Sequence, residues 1–201
     1  MAPGLNMLRI AACLSLLALS ACASGEYNSD ITDTYVEGDR LYVSGTLNAL
    51  TYDEIADHLE ASPGLKTIVL VDIDGSIDDE INLETGRLIH EAGVDTYVPE
   101  NGRIESGAVD LFCAGRNRIA ERGALIGVHS WADEEGAEGS ALPRSDQEHR
   151  MYIDYFNQVG CPVSFYWFTL EAAPADGMHY MTADELRKYD VATEIREAEQ
   201  P

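Results

Sequence analysis

Residues 33–201 predict a single α/β domain, and three observations carry that expectation. Residues 66–71 form a continuous apolar run, as a strand does when a parallel sheet is covered on both faces. Residues 78–92 follow with helical spacing and stop at Gly93, a C-terminal signal. Further short β-branched runs alternate with helical stretches to the end of the chain, the pattern of right-handed strand–helix–strand crossovers.

Residues 34–36 and 40–47 read as two strands about a tight turn at Glu37-Gly38-Asp39. Thr51-Tyr52-Asp53-Glu54 has the form of a capping box and opens a helix to about Ala61, closed by Ser62-Pro63-Gly64. Residues 72–76, Asp-Ile-Asp-Gly-Ser, read as a turn after the apolar strand. In the helix at 78–92, Ile81, Gly86, Leu88 and Ile89 are expected to face inward. Residues 94–98 form the next strand, and an extended stretch leads through Glu105-Ser106-Gly107 into a helix ending at Ala114-Gly115. Residues 118–119 and 125–129 are further short strands. Residues 132–146 are acidic and rich in Gly, Ala and Ser, the composition of a mobile loop. Helices are expected at 146–159 and 163–172, and Thr182-Ala183-Asp184-Glu185 is a second capping box. Residues 191–195 supply a closing strand.

Residues 1–21 form a leader with Arg9 as its cation and an apolar core at 10–19. That core is too short for a bilayer-spanning helix, which needs roughly 20 apolar residues, but it suits a secretory signal. Leu19-Ser20-Ala21-Cys22 resembles the bacterial lipoprotein signal, in which the cysteine becomes the lipidated N-terminus. Residues 22–32 are then a polar tether, and 180 residues remain from Cys22 onward, enough for one domain. By the same resemblance, Ala23 lacks the aspartate of inner-membrane retention. The implied location is the cell envelope, anchored in the outer membrane and facing the periplasm. An ordinary cleaved signal with an incidental cysteine is the alternative.

The formal charge of −23, with no Lys or Arg cluster, argues against nucleic-acid binding. Cys113 and Cys161 fall in the mature chain. In an oxidising compartment they can pair, closing a loop of 48 residues (113 to 161) and adding about 4 kcal/mol in the chain-entropy view; two buried thiols are the alternative. His58, His90, His149 and His179 show no metal-ligand spacing, so neither a metal nor another cofactor is expected.

Three segments converge on chemistry. They are 68–76 with its Gly75 turn, Glu105-Ser106-Gly107 at a helix start, and Ile126-Gly127-Val128-His129-Ser130-Trp131. Together with Phe112-Cys113-Ala114-Gly115 and the 181–191 stretch, they resemble the Clp protease proteolytic subunit and its ClpP/crotonase superfamily, over about residues 38–195. The resemblance implies stacked ββα units and a serine peptidase, or related acyl hydrolase, acting on a peptide or protein substrate. Ser106 would be the nucleophile, His129 the base, and Asp176 the acid that orients it. The backbone N–H groups of Gly75 and Gly107 would form the oxyanion hole. Such a triad activates a hydroxyl that is otherwise a weak nucleophile. Family members also assemble into rings or trimers, so a homo-oligomer is implied as well.

Asp72-Ile73-Asp74-Gly75 stands where the family carries Ser-Pro-Gly-Gly, and Glu105 precedes the nucleophile where the family has a small residue. An aspartate beside a developing oxyanion opposes it unless turned away. A catalytically inactive peptide-binding or assembly module is therefore a second reading. Acyl-CoA chemistry is a third, disfavoured by the lack of a basic phosphate cradle. Taken singly, Ser106 reads as an N-cap, His129 as a core histidine and Asp176 as a turn residue. Asp78-Asp79-Glu80 reads as an acidic first helical turn and Asp133-Glu134-Glu135 as solvated loop. The stretches 147–155 and 165–168 read as helical core or the wall of an apolar pocket. Trp131 lines a groove or covers a sheet edge.

Overall fold

A computed structural model describes residues 1, 31–133 and 135–198. The leader, the lipobox, Cys22 and nearly all of the tether lie outside the described residues. From residue 31 on, the chain forms one mixed α/β domain around a nine-stranded sheet.

The strands β1 (Thr32–Glu37) and β2 (Arg40–Leu47) form the expected hairpin, antiparallel, with Gly38 in the left-handed region. Helix α1 (Thr51–Ala61) follows, but its capping box does not form. Leu50 is the N-cap residue, and the Thr51 hydroxyl is instead bonded to Thr32 Oγ1 at 2.6 Å and to Asn48 N at 2.9 Å. Thr51 is buried against β1, and that tertiary bond replaces the local one.

Strand β3 (Thr67–Ser76) is longer than the apolar run suggests and absorbs the expected turn at 72–76. Its first half pairs with β4 (Asp95–Val98), and its second half pairs with β5 (Arg103–Glu105) through Asp72 and Ile73, while β2 runs along its other edge. The sheet thus divides at β3, one arm continuing through β5 and the other through β4.

Helix α2 (Asp79–Ala92) is capped by Asp78, which accepts from Ile81 N, and ends at Gly93 with φ 66°. Its buried face is Asn82, Leu83, Thr85, Gly86 and Ile89; Ile81 and Leu88, expected inside, are half-buried. Helix α3 (Gly107–Cys113) lies between the two arms. Strands β6 (Arg118–Glu121) and β7 (Leu125–Val128) extend the arms in parallel beside β4 and β5. Helix α4 (Arg150–Val159) packs against α2 and against α5 (Val163–Ala172), which in turn meets β7. A Cβ at Gly86 would sit 2.1 Å from the Tyr155 hydroxyl, so only glycine lets α4 approach α2 this closely. Tyr155 in turn donates to the carbonyl of Asp110 at 2.6 Å.

Cys113 and Cys161 are bridged, with Cα atoms 5.7 Å apart, tying the end of α3 to the α4–α5 turn. The acidic stretch before α4 carries local hydrogen bonds on either side of residue 134. Asp133 Oδ1 accepts from the N–H groups of residues 135 and 137, and Ala132 bridges Glu138. Strand β8 (His179–Tyr180), helix α6 (Ala183–Lys188) with its Thr182–Glu185 capping box formed as expected, and edge strand β9 (Glu194–Arg196) complete the chain.

Candidate functional site

The site lies where β3, β5 and β7 end. Ser106 joins β5 to α3 with φ 54° and ψ −128°, a conformation that non-glycine residues rarely adopt and that costs about 1–3 kcal/mol. Its N–H donates to Gly127 O at 3.0 Å, which extends the β5–β7 ladder to the residue itself. Its side chain makes no capping bond, so the hydroxyl is not spent on the helix. A strained strand-to-helix turn that holds a serine hydroxyl clear of its own helix is the geometry of an exposed nucleophile.

Gly75 faces this hydroxyl. It has φ 127°, and a Cβ there would lie 3.2 Å from Ser106 Cβ and 3.7 Å from Oγ. Backbone conformation and space both call for glycine. Gly107 is equally close-packed, since a Cβ would be 2.8 Å from Asn82 Nδ2 and from Ser76 Cβ. At the first position of α3 its N–H has no partner within the helix. With seven residues, α3 contributes this N–H rather than a long-range dipole.

The two acidic departures are both held away from this point. Asp74 Oδ1 accepts from Thr46 Oγ1 at 2.8 Å, which draws its carboxylate toward β2. Glu105, 9% exposed, accepts from Arg103 Nη1 at 2.7 Å and from the Tyr180 hydroxyl. Arg103 also pairs with Asp72 at 2.7 Å. The bond to Glu105 raises the pKa of Arg103, and it likewise raises that of Tyr180.

His129 follows β7 and lines the same cavity as Ser106 and Gly107, without a hydrogen bond to Ser106. Catalytic hydrogen bonds are often long before substrate binds. Its Nδ1 is sealed from solvent and has no hydrogen-bond partner among the described residues. Asp176, expected to accept from that ring, does not line the cavity; it is exposed on the turn closed by Gly177 N to Pro174 O at 2.9 Å. The Pro-Ala-Asp-Gly turn directs it to solvent. The structure therefore brings Ser106, His129, Gly75 and Gly107 together and leaves Asp176 out.

The cavity, about 50 Å³, has further walls: Asp79 from α2 and Asp110 from α3, neither expected at a site, and Tyr152 from α4 with Phe165 and Tyr166 from α5, out of the two stretches expected to form helical core or a pocket wall. Trp131 joins them, which places it in the site rather than over a sheet edge. Burial, and then the neighbouring Asp79, push the Asp110 carboxyl well above the usual carboxylate range. Tyr152 donates to Asp79 Oδ2 at 2.6 Å, and burial raises its pKa strongly. Tyr166, pushed up to about 12 chiefly by burial, accepts from Trp131 Nε1 at 3.0 Å and bonds the buried His149 Nδ1 at 2.7 Å. The signal for Asp110 was present in the sequence: it is the one charged residue in an otherwise apolar helix. Among the described residues no group of three His, Cys, Asp or Glu side chains gathers as a metal site.

Comparison with protein-family models finds no match, and comparison with curated proteins finds none. Solved structures do match. The catalytic domain of the ClpP protease from Plasmodium falciparum superposes with a TM-score of 0.55 at 16% identity, over 80% of this chain and 86% of that one. A variant of the membrane-bound stomatin-specific protease 1510-N, bound to a substrate peptide, gives 0.53 at 14% identity, over 80% and 76%. Enoyl-CoA hydratase from Bacillus halodurans gives 0.53 at 15% identity, over 84% and 74%. The fold is ClpP/crotonase-like. At these identities the likeness establishes the fold and leaves the chemistry to the residues of this chain.

Proposed function

We propose that this ClpP/crotonase-like domain is a serine hydrolase that cleaves peptides or related acyl compounds with a Ser106–His129 pair. The strained turn at Ser106, opening onto a cavity shared with His129, carries this reading. Ser106 Oγ adds to the acyl carbon while His129 takes its proton. The oxyanion is held by the N–H groups of Gly107 and Gly75, and removing one such donor costs about 2.7–4 kcal/mol. His129 returns the proton to the leaving group, and water releases the acyl enzyme by the same steps. The neighbouring protease bound to a substrate peptide supports a peptide as substrate, and a homo-oligomer is part of the same proposal.

The expected outcome is that a fluorophosphonate probe labels the wild-type chain and fails to label Ser106→Ala, with His129→Ala labelled much more slowly. Equal labelling of the serine variant removes Ser106 from the role. The unpartnered Nδ1 of His129 favours a second reading, a peptide-binding module without turnover. Absence of labelling together with saturable peptide binding by Ser106→Ala would select it.

Localisation belongs to the same proposal. The lipobox at residues 19–22 anchors the chain by lipid on Cys22 in the outer membrane, facing the periplasm. Cys22→Ser then shifts the protein from the membrane fraction to the soluble periplasmic fraction; unchanged fractionation rejects the anchor.

A further inference from the structure

The catalytic cavity has features that a nucleophile and a base leave unexplained. Trp131, Tyr152 and Tyr166, all lining it, form a stack: Trp131 and Tyr152 are 5.7 Å apart at 15°, and Tyr152 and Tyr166 are 5.3 Å apart at 13°. Asp79 and Asp110 line the same space, and no Lys or Arg does. Arg87, on the same helix as Asp79, is committed elsewhere, 5.6 Å over the Tyr155 ring and bonded through Nε to Gln158. Asp79 is bonded to Tyr152, whereas Asp110 has one long contact, 3.5 Å from Asn82 Nδ2 to Oδ2. Its other oxygen has no hydrogen-bond partner among the described residues.

The Asp110 carboxyl, buried beside Tyr152, Tyr155 and Tyr166 in a cavity that holds no Lys or Arg, is costly to ionise. A cationic ligand reverses that cost by pairing Asp110 together with Asp79, which lines the same space. An aliphatic ligand end would instead bury Asp110 against hydrocarbon. The cavity has room for about four water molecules, which suits a slender chain ending in an ammonium.

We infer that the cavity is a subsite for a primary alkylammonium group, the lysine side chain of a peptide whose carbonyl Ser106 attacks. Asp79 and Asp110 pair the ammonium, and the stack of Trp131, Tyr152 and Tyr166 lines the wall beside it. The inference takes its setting from the hydrolase reading and deepens it to a substrate class.

The test compares thiobenzyl esters of Nα-acetyl-lysine and Nα-acetyl-norleucine, which differ only in the ammonium that replaces one hydrogen of the terminal methyl. The wild-type chain is expected to favour the lysine ester by about tenfold or more in kcat/KM, and Asp79→Asn/Asp110→Asn to bring the ratio close to one. A wild-type ratio near one overturns the subsite. Asp79→Asn alone, with a melting curve as a folding control, serves if the double variant does not fold.

A second measurement needs no turnover. The Ser106→Ala chain is titrated with Nα-acetyl-lysine amide, Nα-acetyl-norleucine amide and n-butylammonium, followed by the Trp131 indole N–H resonance. Saturable binding of the lysine amide over the norleucine amide, with neither ester cleaved by the wild type, keeps the subsite and discards the hydrolase. No binding of the lysine amide discards the subsite, whatever is hydrolysed. Binding of n-butylammonium alone overturns the peptide as the source of the ammonium.

Discussion

Asp110 sits in a helix whose other six residues are apolar or glycine, facing a cavity, with its carboxyl pushed up by burial and by Asp79. The groups packed around it are Asp79 from α2, Tyr152 and Tyr155 from α4, and Tyr166 from α5. This has a consequence for stability. In the unfolded chain the carboxyl loses its proton near its ordinary value, 3.8; in the folded chain it holds the proton to higher pH. Between those two points the folded state binds more protons, so stability falls as pH rises through that window. Asp110→Asn cannot ionise and escapes that loss. The variant is therefore expected to melt above the wild type at pH 7–8, with the gap closing as pH drops toward 4. A gap that stays constant across that range would show that Asp110 is not held protonated by the fold. Ser106 makes the complementary point: its φ of 54° costs stability, and a residue with only a capping duty would have no reason to bear that cost.

At the scale of the element, what was legible in the sequence was what is local. The apolar run in β3, Asp78 and Gly93 at the ends of α2, and the box at Thr182 are each set by neighbours within a few residues, and each forms. The box at Thr51 has the same local signature and fails, because Thr32 from another strand offers its hydroxyl a buried partner. The turn expected at 72–76 was misread for a different reason. Asp72 and Asp74 point out while Ile73 and Gly75 point in, a period-two pattern of a strand that its aspartates and glycine disguised. Ser106 and His129 are ambiguous one at a time, an N-cap and a core histidine, and only the order and spacing of their segments, through the resemblance to the ClpP/crotonase superfamily, single them out. The place of Asp176 was not legible, because it lies in a Pro-Ala-Asp-Gly turn whose path depends on the packing of α5 and β8. Asp79 was read as a helix-start charge, which it is, but the approach of α4 that turns it into a cavity wall involves residues more than 70 positions away (79 to 152).

At the scale of the molecule, an acidic chain and an acidic cavity act together. A net charge of −23 creates a field that draws cations from beyond contact distance and repels anions. With the ammonium subsite at its floor, the cavity then gains in two separable ways, through capture rate and through pairing at short range. Salt separates them, because the surface field is screened as the Debye length falls from about 30 Å at 0.01 M to about 8 Å at 0.15 M, while a partly enclosed pair is screened much less. For the lysine thiobenzyl ester, kcat/KM is therefore expected to fall several-fold over that range and then level off still above the norleucine ester, whose own rate stays nearly flat. A preference for lysine that vanishes completely at high salt would locate it in the diffuse surface charge rather than at Asp79 and Asp110. A preference unaffected by salt would mean that the acidic surface serves solubility and takes no part in delivering substrate.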